Sequence, residues 1–393
     1  MGGERFALTG ARVFDGGTIG PATVVVEGGR IAALLPPDET GGAPAIALDG
    51  GIVAPGLVDL QVNGGGGITF NETPTVEALE TMAAAHAGLG ATTILPTFIT
   101  DRPDQQARAI AAVVEACARG VPGIAGLHLE GPHLSLARKG AHDPALIRPM
   151  DAADLDALIG AARRLPRLMV TLAPESVSPQ QIAALAGAGV TVALGHTDCS
   201  YEAARAAAAA GARVATHLFN AMSPLQNRAP GLVGAVLDEG GLDCGLIADG
   251  VHVHPAAIRA ALAAKRGPGA VFLVSDCMAP AGTAMDRFTL NGREVRREAG
   301  RLTLGDGTLA GADLDLPRAI RVMTGAVGIA LDRALAMATA IPARVLGLAD
   351  RAGRIAPGRA ADLVHLSDAL HLSAVWRAGL PQPLAPGLHG GPG

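Results

Sequence analysis

The sequence has few aromatic residues: seven Phe, one Trp and one Tyr make up 2% of its 393 positions. A hydrophobic core must therefore be built from Ala, Val, Leu and Ile. Because hydrophobic residues reach 49%, a large core is possible. The length is large for one ordinary domain and allows a barrel with a smaller module attached.

Long apolar runs and blocks of basic charge are also lacking. The alanine-rich run Ala203–Ala215 is interrupted by Arg205 and Arg213, so it is a poor membrane span. The formal charge is −5 without a basic cluster, which argues against binding to nucleic acid. The start, MGGERFALTG, lacks the pattern of a signal peptide. We therefore expect a cytoplasmic protein with neither a membrane nor a nucleic-acid partner.

Cysteine is scarce, and no two cysteines form a CxxC pair. The four are Cys117, Cys199, Cys244 and Cys277. Free, mostly buried thiols in a reducing compartment explain them most simply. Because Cys199 and Cys277 flank candidate site residues, a role in metal binding remains an alternative.

The two ends of the chain resemble each other and differ from the middle. Arg5 to Ile52 consists of short alternating runs with Gly-Gly turns, which is typical of β-hairpins. Gly353–Leu366 and Leu372–Arg377 show the same pattern. We predict a small β-sandwich domain formed by both termini, residues 1–53 and 347–393, around a catalytic domain at 54–346.

The middle of the chain alternates apolar strands with helical stretches, which predicts a (β/α)8 TIM-like barrel. An inserted hairpin-like segment, Phe288–Leu309, follows the eighth strand. The predicted strands are Leu57–Gln61, Thr92–Thr97, Ile124–Leu129, Leu168–Leu172, Val190–Gly195, Val214–His217, Cys244–Ala248 and Val271–Ser275. The predicted helices are Val76–Leu89, Asp104–Arg119, Asp151–Arg164, Pro179–Ala188, Tyr201–Ala210, Pro255–Arg266, Leu314–Gly328 and Leu331–Leu346.

Three of the predicted strands end on groups that bind metals. Gly131-Pro132 stops the third strand directly after Glu130. His196 and His217 end the fifth and sixth strands. A charge at the end of a buried strand costs several kcal/mol unless it is paired, and the carboxyl ends of barrel strands meet at one mouth. The pattern predicts a metal site with an open position; the alternative is a strand-end Glu and two histidines with structural hydrogen bonds.

Asp276 ends the eighth predicted strand and is the natural general base beside such a site. A bound divalent ion lowers the pKa of a bound water and polarises a carbonyl oxygen. Asp276 would take a proton from that water and pass it to the leaving group. The alternative is a cap of a helix or turn before Met278.

Several long segments resemble the N-acetylglucosamine-6-phosphate deacetylases of the amidohydrolase superfamily. They are PGLVDLQVNG at 55–64, LHLEGPHLSLARKGAHDP at 127–144, GHT at 195–197, ATHLFNAM at 215–222, DGVH at 249–252, VSD at 274–276 and TLAG at 308–311. The resemblance implies hydrolysis of the acetamide of N-acetyl-D-glucosamine 6-phosphate. It implies Glu130, His196 and His217 as ligands of one divalent ion, Zn²⁺ or alternatively Fe²⁺, Co²⁺ or Mn²⁺. Asp276 is implied as the catalytic acid/base and His142 as the group that polarises the acetyl carbonyl.

The same resemblance implies the residues that hold the sugar phosphate. Arg228 would reach the pocket of a neighbouring subunit, which implies a homodimer; a solvated loop charge is the alternative. A phosphate dianion suits a guanidinium, a second donor and backbone N–H groups. The remaining substrate groups are Asn220, Ala221 through its backbone, His252 and Leu309. A turn residue is the alternative for Asn220, and a surface histidine for His252.

Gln61 and Asn63 stand where many relatives carry His-x-His, and both are expected at the substrate. Amides are poorer metal ligands, and the fourth strand has no lysine, so one metal is favoured. An amide pair that caps the strand end is the alternative. His133 is a fourth donor or a pocket wall, and Asp313 touches a sugar hydroxyl or caps a helix.

Two other functions remain open from the sequence. The first is an amidohydrolase that acts on another N-acetyl amino-sugar phosphate or N-acyl substrate. The second, a barrel without catalysis, is disfavoured because all three candidate ligands and Asp276 are present.

Overall fold

The structure, a computed structural model, describes residues 5–386. Strands and helices are numbered along the chain. Strands from both ends of the chain form two sheets, which confirms that both termini build a small β-sandwich. One sheet has the order β5-β4-β1-β6 and the other β24-β23-β22-β7-β2-β3. These strands are β1 Phe6–Thr9, β2 Arg12–Phe14, β3 Ile19–Pro21, β4 Thr23–Glu27, β5 Arg30–Leu35, β6 Ala45–Ala47, β7 Ile52–Pro55, β22 Leu363–Leu366, β23 Leu372–Arg377 and β24 Leu380–Pro381.

Strand β22, near the C-terminal end, pairs with β7 of the N-terminal part in antiparallel register, Leu363 opposite Pro55 and Leu366 opposite Ile52. Strand β7 continues almost directly into the first barrel strand. The domain limits at 53/54 and 346/347 remain a prediction.

Eight parallel strands form the barrel, in the order in which they follow one another along the chain. Their interior and their flanks belong to one hydrophobic core built mainly from Leu, Val, Ile and Ala. The predicted (β/α)8 fold is therefore confirmed. The strands are β8 Leu57–Val62, β11 Ala91–Ile99, β12 Leu127–Glu130, β13 Leu168–Leu172, β14 Thr191–Leu194, β15 Val214–Ala215, β16 Asp243–Leu246 and β17 Val271–Leu273.

The barrel closes between its first and last strands through the residues that follow β17. The backbone N–H of Asn63 donates to Cys277 O over 2.9 Å, and that of Asp276 donates to Gln61 O over 3.0 Å. The Asp59 carboxylate adds a bond from the Ser275 N–H at 3.2 Å. This seam brings the candidate base Asp276 next to the amide residues of β8.

Helices connect the barrel strands, and most of them match the predicted positions. Helix α6 was not predicted, because glycines at 231 and 234 weaken its helical signal. The last two predicted helices are each interrupted: a π-helical turn at Met323–Val327 follows α8, and Thr339 separates α9 from α10. The helices are α1 Val76–Gly88, α2 Pro103–Arg119, α3 Ala152–Ala162, α4 Pro179–Gly187, α5 Tyr201–Ala210, α6 Gly231–Asp238, α7 Pro255–Ala264, α8 Leu316–Val322, α9 Leu331–Ala338 and α10 Ala340–Val345.

The segment inserted after β17 is a four-stranded antiparallel sheet rather than a single hairpin. Its inner side packs against the barrel mouth, where Leu290, Val295 and Leu302 contact Ile99 and Met278. The strands are β18 Arg287–Leu290, β19 Arg293–Glu298, β20 Arg301–Leu304 and β21 Leu309–Ala312. A two-stranded ribbon, β9 Gly64–Gly65 with β10 Ile68–Thr69, follows β8. Between residues 5 and 386, no helix combines the length and the apolar character needed to cross a bilayer.

Candidate active site

The three predicted metal ligands lie at the carboxyl ends of their strands. Glu130 is the last residue of β12, and His196 and His217 each come two residues after a strand end. His196 has a φ of 47°, His217 of 32° and Asp276 of 50°. Such positive φ values cost about 1–3 kcal/mol each in residues other than glycine, and they persist only where the surroundings fix them. Their concentration in these three residues is typical of a functional site.

The donor atoms of these three side chains form a small triangle. Glu130 Oε1 lies 3.3 Å from His196 Nε2 and 3.2 Å from His217 Nε2. The two Nε2 atoms are 3.1 Å apart. A tetrahedral zinc ion with bonds of about 2.0–2.1 Å needs ligand atoms about 3.3 Å apart. The triangle therefore has the size that a single divalent ion requires.

The hydrogen bonds of the triangle also suit a metal. His196 Nδ1 donates to Arg138 O over 2.9 Å, which fixes the ring and leaves Nε2 as the nitrogen that faces the other two ligands. Burial alone would raise the pKa of Glu130, but the two imidazoles hold it well below its usual range. Two imidazole nitrogens and one carboxylate oxygen are a donor set that zinc, iron(II), cobalt(II) and manganese(II) accept.

His142 is the fourth polar group at the triangle. Its donor atoms also lie within 4.8 Å of those of Glu130 and His196, so it is a geometric alternative to His217 as a ligand. His142 Nε2 is 3.8 Å from Glu130 Oε2, the oxygen that does not face the other two ligands. The tighter triangle with His217 fits one coordination shell better. Burial lowers the pKa of His142 to about 3, so its ring is neutral.

The loop that carries His142 is fixed by two contacts that the sequence did not reveal. Thr100 Oγ1 lies 2.8 Å from His142 Nδ1. Arg293 of the inserted sheet donates to Ala141 O. The Arg293 contact holds the loop backbone. The Thr100 contact occupies Nδ1 of His142 and leaves Nε2 as the ring nitrogen available at the triangle.

Asp276 lies in the same buried region. Burial, and then the nearby Glu130 carboxylate, raise its pKa to about 6. Asn63 Nδ2 donates to Asp276 Oδ1 over 2.8 Å, while Asn63 Oδ1 has no protein partner although it is buried. A carboxylate with a pKa near neutrality is suited to accept a proton and return it.

Gln61 lies behind Glu130, and its Nε2 donates to Glu130 Oε1 over 3.2 Å. It is not among the residues that line the central chamber, so its expected contact with substrate remains a prediction. The sequence left open whether His133 is a fourth metal donor and whether Asp313 caps a helix or touches the sugar, and the structure contradicts these alternatives. His133 turns away from the triangle, with Nδ1 3.1 Å from Arg148 O. Asp313 neither caps a helix nor faces the chamber; it pairs with Arg297 at 2.9 Å, and the cap of α8 is Asp315.

The cysteines do not join the triangle. Cys277 Sγ lies 3.5 Å from His86 Nε2 and 3.6 Å from Gly64 O, on the outer side of β8. All four cysteines are free thiols, and three of them are buried.

The triangle opens into a chamber of about 250 Å³ at the barrel mouth. Arg228 does not line it and is exposed in the loop before α6. The residues that the sequence did not identify are mostly apolar, because an ordinary Ile or Met carries no sequence signal of a site. The lining residues are Asn63, Ile99, Glu130, Gly140, Ala141, His142, His196, His217, Asn220, Ala221, Ile247, His252, Asp276, Met278, Leu290, Thr308, Leu309 and Gly311.

A barrel with this triangle and a carboxylate at its mouth is the arrangement of a metal-dependent hydrolase, and comparison with known proteins agrees. The family model for the amidohydrolase family matches residues 52–382. The chain therefore belongs to the amidohydrolase family and is a hydrolase.

Within that family its relatives are deacetylases of amino-sugar phosphates. The chain is 40% identical to an N-acetylgalactosamine-6-phosphate deacetylase of Shewanella sp. (strain ANA-3), over 94% of both chains. It is 34% identical to the N-acetylglucosamine-6-phosphate deacetylase of Homo sapiens, over 96% of this chain and 95% of the relative. The crystal structure of the N-acetylglucosamine-6-phosphate deacetylase of Pasteurella multocida superposes with a TM-score of 0.91 at 33% identity, covering 96% of this chain and 99% of the other. The resemblance inferred from the sequence segments is confirmed.

Proposed function

We propose that this chain hydrolyses the acetamide of N-acetyl-D-glucosamine 6-phosphate to D-glucosamine 6-phosphate and acetate, with one divalent ion per subunit. The observation that carries the proposal is the triangle of Glu130, His196 and His217, with edges of 3.1–3.3 Å, beside Asp276 in one buried chamber. Zinc is the metal that this donor set favours first.

A divalent ion held by the triangle would supply Lewis-acid activation of a water molecule and of the acetyl carbonyl. The protein residues do the rest. In the tautomer in which Thr100 Oγ1 donates to Nδ1, His142 Nε2–H donates to the carbonyl oxygen as negative charge develops there. Asp276 accepts the proton of the attacking water and delivers it to the departing amine, and Asn63 keeps its carboxylate oriented.

The chamber has two sides of different polarity, which supports one orientation of the substrate. Ile99, Met278 and Leu290 form an apolar side; Ile99 lies opposite Glu130 in the sheet, and Met278 follows Asp276 by two residues. A small alkyl group next to the reacting carbonyl fits there. Asn220 and His252 lie across the chamber, after β15 and β16, where they suit the sugar and its phosphate.

The phosphate is the group that His252 and Arg228 would recognise. His252 Nδ1 donates to Asp249 Oδ2 over 2.7 Å, which fixes the orientation of the ring at the wall of the chamber. Because Arg228 lies outside its own chamber, we assign it to the active site of a second subunit in a homodimer. The free buried thiols support a reducing, cytoplasmic location.

Purified, metal-loaded protein tests this assignment through acetate release from N-acetylglucosamine 6-phosphate. N-acetylglucosamine without phosphate serves as the matched substrate and should react with a much lower kcat/KM. Equal rates on the two would instead assign a substrate without phosphate. Metal-loaded protein that releases no acetate from any phosphorylated N-acetylhexosamine would contradict the proposal.

N-acetyl-D-galactosamine 6-phosphate is the second candidate substrate. It is favoured by one observation: the 40% identical Shewanella relative is named for that sugar, whereas the human relative named for the gluco epimer is 34% identical. The two sugars differ only in the configuration at C4, two ring positions from C2, which carries the reacting amide. The ratio of kcat/KM values for the two epimers decides between them.

A further inference from the structure

A row of polar side chains crosses the barrel interior directly beneath the metal triangle. Its members are Thr97, His128, Thr171 and Thr216, from β11, β12, β13 and the end of β15, and none is more than 3% exposed. Barrel interiors are ordinarily filled by Val, Ile and Leu. A buried hydroxyl or imidazole without partners would cost about 1–3 kcal/mol, so this row needs a complete set of hydrogen bonds.

The hydrogen bonds of the row are complete and run in one direction. Thr97 Oγ1 accepts from the Val62 N–H at 2.9 Å and donates to Leu95 O at 3.3 Å. Its remaining lone pair can only accept, so His128 Nδ1 donates to it over 3.3 Å.

That assignment fixes the other end of the row. His128 Nε2 must accept, and Thr171 Oγ1 donates to it over 2.7 Å. Thr171 in turn accepts from Thr216 Oγ1 over 2.6 Å. A neutral His128 is therefore the one group that joins the two halves of the row.

The row can close because a glycine, Gly195, directly follows strand β14 at the point where the row passes. A Cβ on Gly195 would lie 2.9 Å from both Thr171 Cγ2 and Thr216 Cβ. Without it, the two threonines meet across the strand. Packing, rather than an unusual backbone conformation, therefore requires glycine at position 195.

Two of the metal ligands follow a member of the row on their own strand, and the third follows the glycine that lets the row close. Glu130 comes two residues after His128 and therefore lies on the same face of β12, one level higher. His196 directly follows Gly195, and His217 directly follows Thr216. The row therefore holds the backbone at the positions from which His196 and His217 adopt their positive φ values.

We infer that His128 is a positioning residue, which sets the size of the metal triangle through the row Thr97–His128–Thr171–Thr216. It touches neither substrate nor metal in this arrangement. The inference rests on the metal-binding part of the proposed function but not on the identity of the sugar. Residues that hydrogen-bond a metal ligand directly change metal affinity by about 10- to 100-fold; His128 acts through the backbone instead, so we expect the lower end of that range.

The test is the zinc affinity of the full-length protein, measured by competition with a chelator. His128→Leu removes the ring's hydrogen bonds to Thr97 and Thr171 and should weaken zinc binding by about 10-fold. His128→Gln, whose amide reaches the Nε2 position, keeps the contact with Thr171 and should retain more affinity than His128→Asn. Thr171→Val keeps the volume, removes the central hydroxyl and covers the case in which His128→Leu does not fold.

Leu168→Ala is the matched control, because it leaves a cavity in the same barrel without touching the row. It should lower Tm, with zinc affinity unchanged. Unchanged zinc affinity in both His128→Leu and Thr171→Val would overturn the inference, as would an equal loss in Leu168→Ala. If the wild-type chain binds zinc tightly yet releases no acetate, the substrate assignment fails while this inference is still tested.

Discussion

Asn63 donates an amide hydrogen to Asp276 over 2.8 Å, across the seam where the first and last strands of the barrel meet. The contact joins the residue directly after the first barrel strand to the candidate acid/base 213 positions later. It lowers the pKa of Asp276, whereas burial and the charge of Glu130 raise it to about 6. The contacts that close the barrel therefore also influence the pKa of the candidate acid/base, Asp276.

Replacing Asn63 should move the acid side of the pH profile. Asp276 acts as a base only when ionised, so kcat/KM falls as the pH drops through its pKa, which burial raises to about 6. Asn63→Ala removes a hydrogen bond to the ionised form and shifts that limb to higher pH. Gln61→Ala is the contrasting variant, because the Gln61 side chain contacts Glu130, while only its backbone carbonyl, which the substitution keeps, accepts from Asp276. If the acid limb of the pH profile has the same midpoint in Asn63→Ala as in wild type, Asn63 does not influence the pKa of Asp276.

Asp276→Asn should separate catalysis from metal binding. The amide keeps the size of the side chain but cannot accept the proton of the attacking water. We expect kcat to fall by about 10²- to 10⁴-fold. The metal content should match that of wild type, since Asp276 is outside the triangle. Metal analysis alongside acetate release checks both points, and loss of the ion together with activity would make Asp276 a ligand instead.

The apolar side of the chamber should limit the length of the acyl group. Wild-type enzyme should prefer N-acetyl over N-butyryl amino-sugar phosphate, because Leu290 and Met278 leave little room beyond a methyl group. Leu290→Ala should raise kcat/KM for the butyryl substrate on the order of 10-fold, the usual effect of one or two methylenes. Leu380→Ala, an exposed residue of the small β domain, is the matched control. An unchanged acyl preference in Leu290→Ala would place the acyl group elsewhere.

Arg228 should act on the active site of the other subunit. Arg228→Ala alone should raise KM for the phosphorylated substrate, whereas exposed Arg163→Ala should not. Mixed dimers give the sharper test: an Arg228→Ala subunit retains its own Asp276 and receives Arg228 from an Asp276→Asn partner. Such mixtures should regain activity that neither variant has alone. Without that recovery, Arg228 would not act across subunits.

The strands and the triangle could be predicted from the sequence because they depend on local signals. Each barrel strand is a short apolar run, and Glu130, His196 and His217 stand out as polar residues at the ends of such runs. Helix α6 was missed because Gly231 and Gly234 lower its helical propensity. Here burial by tertiary packing outweighs intrinsic preference.

Other parts of the site depend on contacts between distant segments, which no local pattern reveals. Ile99 and Leu290 look like ordinary core residues, and only the fold brings the inserted sheet over the barrel mouth. Thr100 lies 42 positions from His142, to which its hydroxyl is bound. Asp313 looked like a helix cap, yet its side chain pairs with Arg297 of β19, and Asp315 caps α8 instead.

The proposed function depends on a metal ion bound by the triangle. Locating that ion is therefore the most direct test. Crystals of the chain reconstituted with zinc, studied by anomalous scattering at the metal edge, should show one ion per chain. Its bonds to Glu130, His196 and His217 should measure about 2.0–2.2 Å. An ion found elsewhere, or an empty triangle after reconstitution with zinc, iron(II), cobalt(II) and manganese(II), would contradict it.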